Sequence, residues 1–293
     1  MVIYKQNSDF SISVDTLGAQ LLSLKDKTGR EYLWQRNPAF WPRSSPILFP
    51  SIGVCRNNRT AFEGIWYPMP KHGFGRDEEF FVSSQTDESV TMELSWSQRT
   101  KTMYPYEFSL SLSYKLTERG LSVDYRVQNL QDKDMPYCLG AHPGFLCPLN
   151  PGERFEDYRL EFEYEETMAS IPYNLETLEL DVTRPGLFLN HSRVLPLSYD
   201  LFREDAVYFE NPRSRKVALV HPQTRKGVEV WFPDFDGIAF WTPMEGGARL
   251  LCIEPWNGAD IRSDEDDEFF HKHHIRLLSG FQPRTHHLEI NIL

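Results

Sequence analysis

The chain has 293 residues, 40% of them apolar and 25% charged, ordinary values for a water-soluble globular protein with a sizeable core. Its 31 basic and 42 acidic residues leave a net charge of −11. That surface repels phosphates and anionic lipid headgroups, which argues against nucleic acid and membrane partners and leaves a neutral small molecule as the default ligand.

Period-2 alternation of apolar and polar residues dominates the chain and predicts strands. Phe10, Ile12 and Val14 alternate with Ser11, Ser13 and Asp15, and Asp26-Lys27-Thr28-Gly29 then reads as a turn. Met92, Leu94 and Trp96 follow the same rule. The clearest case is Phe108, Leu110, Leu112, Tyr114 and Leu116, then Thr117-Glu118-Arg119-Gly120, then Leu121, Val123, Tyr125 and Val127. That pattern predicts a hairpin with glycine where a positive φ is easiest. Residues 151–199 are the least legible, although Tyr158, Leu160, Phe162 and Tyr164 alternate within them. Val228, Val230 and Phe232 predict a further strand, and Leu288, Ile290 and Ile292 the last one. The best helical candidate is short, from Ser263 to His271, with acidic residues at its start. With no repeat, no linker and the 20 prolines spread out, the expectation is a single all-β domain over residues 1–293.

The opening residues lack the apolar core of a signal peptide, and no apolar run approaches the ~18 residues of a membrane span. Cys55, Cys138, Cys147 and Cys252 show no C-x-x-C spacing and read as buried, reduced thiols. Together these predict a cytoplasmic location.

Several residues stand out chemically. Glu254 ends the apolar run Leu250-Leu251-Cys252-Ile253 and precedes Pro255-Trp256. A carboxylate there is partly desolvated, which raises its pKa and suits it as a base near neutral pH. The plainer account is a strand-end carboxylate capping a turn. His142, in Gly140-Ala141-His142-Pro143-Gly144-Phe145, sits in a rigid loop of small residues and is either a cleft imidazole or a histidine satisfied by a backbone carbonyl. His72 lies in Pro70-Lys71-His72-Gly73-Phe74-Gly75-Arg76-Asp77, whose glycines permit close approach of backbone to ligand. Arg76 and Asp77 suit an ion pair. Arg56, Asn57 and Arg59 follow an apolar turn and suit sugar hydroxyls, or simply form an exposed loop. The groups His271-Lys272-His273-His274 and His286-His287 lack a known zinc spacing, so no metal is expected. Phosphate-loop glycine motifs and the G-x-S-x-G elbow are absent.

These segments together resemble the aldose 1-epimerase (galactose mutarotase) family, particularly its galactose mutarotase-related bacterial branch. The resemblance rests on six short motifs in the family's order. They are Gly18-Ala19-Gln20-Leu21, Leu48-Phe49-Pro50 with Asn57, the Pro70–Phe74 segment, the His142 loop, the Val228–Phe232 strand with Ile238–Pro243, and Ile253-Glu254-Pro255-Trp256. It implies a β-supersandwich that interconverts the α and β anomers of a free aldose. By the same motifs Glu254 matches the base that takes the anomeric proton, His142 the acid that protonates the ring oxygen, and His72 the histidine that hydrogen-bonds the substrate near that oxygen. Asp205 becomes a candidate for binding hydroxyls, and Trp256, Trp241, Trp66 or Trp41 for stacking on a sugar face. One departure concerns substrate choice: many members carry arginine after the glycine matched by Gly53, where this chain has Val54, and Arg56 or Arg59 is the candidate replacement.

Acid–base ring opening needs one proton removed and one added on neighbouring oxygens, so two positioned groups suffice without metal or cofactor. The chemistry calls for a raised carboxyl pKa and a histidine held protonated by a carboxylate. The alternatives are a hexose-6-phosphate 1-epimerase, which needs two or more cations converging on the cleft, with Arg56, Arg59 and Arg76 near the right motifs as the candidate substrate-binding cations, and a non-catalytic sugar-binding protein on the same fold. The assembly expected is a monomer or homodimer.

Overall fold

The hairpin at residues 108–129 sets the architecture. In the computed structural model, which describes residues 1–244 and 247–293, Phe108–Leu116 pairs antiparallel with Gly120–Asn129. Leu116 faces Leu121, Tyr114 faces Val123 and Leu112 faces Tyr125. The alternating apolar residues turn inward and Ser111, Ser113 and Lys115 turn out, which is how a period-2 sequence satisfies a half-buried sheet. Gly120 is required at the turn: its φ is 149°, and a Cβ there would lie 2.2 Å from the Ile290 carbonyl oxygen.

This pair is the heart of a nine-stranded antiparallel sheet. Its order is Phe188–Pro196, Arg159–Ala169, Lys216–Val220, Gly227–Trp231, Pro283–Ile292, Gly120–Asn129, Phe108–Leu116, Ser89–Ser95 and Phe81–Gln85. A six-stranded sheet runs Val207–Glu210, Gly237–Trp241, Leu250–Asn257, Leu139–Ala141 and Ile47–Leu48, with Gly144–Leu146 also on Leu250–Asn257. One cluster of buried side chains joins them: Phe162 of the larger sheet meets Phe209 and Phe240 of the smaller edge to face, with centroids 6.4 and 6.0 Å apart. The fold is the all-β supersandwich that the motifs imply, with 48% strand and 7% helix.

The expected helix from Ser263 to His271 is replaced by bends and a single 3₁₀ turn, Phe269–His271. Its acidic residues are committed elsewhere. Asp266 accepts the Glu268 N–H, Asp264 pairs with Arg262, and Glu265 turns inward to the His273 N–H and the buried Lys272. Such side-chain-to-backbone bonds compete with a helical ladder. Among the described residues one α-helix forms, Gln98–Lys101, capped by Ser97 and Thr100. All four cysteines are buried and unpaired. No helix among the described residues is long and apolar enough to cross a membrane.

Candidate active site

The six-stranded sheet carries the site through its register. Leu250–Asn257 is paired on one side by two short strands in a single register, Gly140 opposite Trp256 and Gly144 opposite Cys252. The gap between them, at His142 and Pro143, therefore falls opposite Glu254. His142 Nε2 lies 3.2 Å from Glu254 Oε2. Glu254 is not at a strand end, as the sequence reading had it. The strand continues through Pro255, Trp256 and Asn257, and Glu254 sits mid-strand at 2% exposure, with Ala239 as its partner on the other side.

Both members of this pair are held in a dry setting. Trp41 stacks on the His142 ring with centroids 4.8 Å apart. Gly144 has no room for a side chain, since a Cβ would approach Trp41 and Leu250 to within 3 Å. Burial pushes the Glu254 carboxyl well above its usual range, and the Asp205 carboxylate adds to the rise, while Lys71 and the nearby Trp256 indole oppose it. Burial also pushes His142 down, to about 3, and the cations Arg76, Lys71 and Arg43 reinforce that fall. Burial disfavours charge on each group, and the 3.2 Å contact lets the pair share one proton between carboxyl and imidazole.

His72 reaches the cleft from a left-handed backbone, φ 66°, followed by Gly73 at φ 68°. A Cβ on Gly73 would lie 2.2 Å from the Phe49 carbonyl oxygen, so this loop can pack against residues 49–53 only with glycine there. The His72 N–H donates to the Gly53 carbonyl at 2.6 Å, and the Gly53 N–H donates to His72 Nδ1 at 3.0 Å. An accepting Nδ1 leaves the proton on Nε2, so the free edge of this ring is a donor. Burial, then His142, depresses the His72 pKa well below 6.5 and keeps the ring neutral.

Around these three residues lies a cleft of ≈ 300 Å³, lined also by Trp41, Lys71, Arg76, Tyr173, Asp205, Trp241, Trp256 and Asp260. Its walls combine aromatic faces with acidic and basic groups. Asp205 enters from a left-handed turn, φ 70°. Trp256 stacks on Tyr208, and its buried indole N–H has no hydrogen-bond partner among the described residues. Arg76 leans on the Lys71 carbonyl at 2.7 Å; its pairing with Asp77 is loose, 3.7 Å, because Arg43 holds that carboxylate at 2.6 Å.

Three of the predicted substrate-binding residues lie elsewhere. Arg56 is locked by Glu179 and by the carbonyls of Glu265 and Arg262, at 2.7 and 3.0 Å. Arg59 is exposed and lies over the Trp66 ring at 4.3 Å, which also takes Trp66 away from the cleft. Asn57 is exposed in a left-handed turn. Neither arginine fills the space beside Val54; the cations that line the cleft are Lys71 and Arg76. Lys71 was visible in the sequence only as the neighbour of His72. Asp260 and Tyr173 carried no signal, because contacts more than 80 residues apart in sequence bring them here.

The histidines of the two clusters near the C-terminal end of the chain, His271 to His274 and His286-His287, are engaged in polar contacts. His271 pairs with Asp266 and His287 with Asp124. His273 and His274 face Glu210, whose Oε1 is also held by Arg262 at 3.0 Å. His286 is buried between the Tyr137 hydroxyl and the Asn257 amide, supporting the end of the strand that bears Glu254.

Fold and site together define an all-β protein with a buried carboxylate–imidazole pair at the floor of a polar, aromatic-walled cleft. The chain belongs to the aldose 1-epimerase family, whose profile matches residues 1–276. It is 38% identical over 275 residues to the chromosomal protein LacX of Lactococcus lactis subsp. lactis, covering 90% of each chain. The galactose mutarotase related enzyme from Lactobacillus acidophilus superposes with a TM-score of 0.94 at 30% identity, covering 100% of this chain and 97% of that one. A galactose mutarotase-like protein from Lactobacillus casei gives 0.91 at 30% identity, covering 100% of both chains.

Proposed function

We propose that residues 1–293 form a single catalytic domain that interconverts the α and β anomers of a free aldose. The observation carrying this reading is the 3.2 Å contact of His142 Nε2 with Glu254 Oε2 at the floor of the cleft. Placing the pair's shared proton on His142 creates a carboxylate and an imidazolium. The carboxylate then takes the proton of the anomeric hydroxyl, and the imidazolium protonates the ring oxygen as the C1–O5 bond breaks. Rotation about C1–C2 and reversal of both transfers close the ring with the other anomer. The proton count of the pair is unchanged throughout, so the cycle needs no proton from solvent. His72 Nε2–H donates to the substrate oxygen near the ring, and Asp205, Arg76 and Trp256 contact the rest of the sugar. Acid–base groups of this kind each contribute about 10²–10⁴-fold.

A second reading, hexose-6-phosphate 1-epimerization, is favoured by one observation: Lys71 and Arg76 both line the cleft. A non-catalytic sugar-binding role leaves the buried acid–base pair without a purpose. The test is anomer exchange followed by NMR on glucose, galactose, xylose, glucose-6-phosphate and galactose-6-phosphate. Exchange on free sugars supports the proposal, exchange confined to the phosphorylated pair supports the second reading, and no acceleration on any of them overturns both.

A further inference from the structure

Asp260 is a cleft residue that the acid–base reading leaves without a role. It is 4% exposed, as is Tyr173 beside it. Its Oδ1 accepts two backbone N–H groups, from Val54 at 2.7 Å and from Ile261 at 2.8 Å. Among the described residues its Oδ2 accepts only the Tyr173 hydroxyl, at the long distance of 3.3 Å. A carboxylate has about four acceptor sites, so the Oδ2 edge keeps unused capacity on a wall of the cleft. The fold makes room for this group. Gly53, at φ 62°, has its missing Cβ position filled by the Asp260 carboxyl carbon, 1.7 Å away.

The plain account of Asp260 is a clamp on the Val54 and Ile261 amides. An asparagine oxygen would serve the two amides equally; the charge of the buried Lys272, which Glu265 already meets at 3.6 Å, also favours a carboxylate here, but neither accounts for the open Oδ2 edge on the cleft wall. The carboxylate also stands directly against Gly53 and Val54, the place where this chain has no arginine and where neither Arg56 nor Arg59 reaches.

We infer that Asp260, steadied by Tyr173, accepts a hydrogen bond from a sugar hydroxyl away from the anomeric carbon and thereby decides which aldose the cleft holds. The inference rests on reading the cleft as a sugar site. Asp260 takes no part in proton transfer at C1 or O5; it is a specificity-determining residue.

The test compares wild type with Asp260→Asn and Tyr173→Phe by NMR, reading anomer exchange and saturation-transfer binding in the same samples. The substrates are the best aldose of the panel and its 2-, 3-, 4- and 6-deoxy derivatives. Asparagine preserves the Val54 and Ile261 contacts, and thermal unfolding checks the fold. The expected result for Asp260→Asn is a KM raised about 10- to 100-fold with kcat nearly unchanged, the scale of one charge-assisted hydrogen bond. One deoxy derivative alone should bind both proteins equally weakly, which identifies the hydroxyl. Tyr173→Phe should give a smaller loss that vanishes with the same derivative, and it decides the matter should Asp260→Asn not fold. Unchanged KM, or an equal loss on every derivative, overturns the inference while leaving the epimerase reading intact. A wild type that binds sugar without exchanging anomers overturns the epimerase reading, and Asp260 is then judged on the binding data. A wild type that binds no aldose overturns both.

Discussion

Glu254→Gln keeps the shape of the side chain and removes its charge. The structure makes two consequences of that change run in opposite directions. The amide can still donate to the neutral Nε2 of His142 across the same 3.2 Å, so the cleft retains its geometry. It cannot take the anomeric proton, and loss of a general base lowers kcat by about 10²–10⁴-fold, or about 2.7–5.4 kcal/mol of transition-state stabilisation. Stability moves the other way. The folded carboxyl has a pKa raised above its unfolded value, so its contribution to stability is present below about pH 4.5 and is lost as pH rises through the folded pKa. Each pH unit within that window costs about 1.4 kcal/mol, and glutamine removes the cost. At neutral pH the variant should therefore unfold at a higher temperature than wild type. Anomer exchange by NMR and calorimetry at pH 7 read the two effects separately. Exchange within about tenfold of wild type would remove Glu254 from the base role, being well short of the effect of a lost general base. A lowered Tm would refute the desolvation argument itself.

Other predictions test the surroundings of the pair. Asp260 is pushed up to about 7 by burial, so its stabilising contribution is present below about pH 4 and fades as pH rises to 7. Asp260→Asn should gain on wild type across that window by up to about 4 kcal/mol in urea unfolding, and parallel stability curves would show that the carboxyl is not perturbed. Gly53→Ala places a methyl on the Asp260 carboxyl at a left-handed φ and should cost about 2 kcal/mol or more, read as a Tm lower by several degrees. Arg59→Ala should leave anomer exchange unchanged and cost about 0.5–1 kcal/mol from the lost contact with Trp66, whereas a raised KM would place Arg59 in the cleft.

The strands of the core were legible because burial alone dictates them. Every apolar position in Phe108–Leu116 that alternation marked is buried, and the same rule predicted its partner strand. Glu254 was legible as a charge at the end of an apolar run, yet its position in the strand was misjudged. Pro255 looked like a stop, but in the folded sheet it continues the strand, in register with Ile238. Arginines were the hardest to place. Arg56 and Lys71 carry the same charge beside similar motifs, and their destinations depend on where the chain returns. Glu179 and the residue 262 and 265 carbonyls capture Arg56 from more than 120 positions away. No local pattern encodes such a partner. The acidic run after Ser263 misled for a related reason, since carboxylates that favour a helix start favour local backbone bonds just as well.

The interrupted strand opposite Glu254 has a consequence for how the chain tolerates changes in length. Leu139–Ala141 and Gly144–Leu146 are both measured against Leu250–Asn257, which acts as one ruler for two segments. A residue inserted between Ala141 and Gly144 has no rung to occupy, so it must bulge into the cleft and carry the imidazole off its mark. A residue deleted there leaves one segment a step short, turning its side chains to the opposite face of the sheet. Surface loops of this chain can drift in length, but this two-residue gap is held to a fixed span by hydrogen bonds on either side of it.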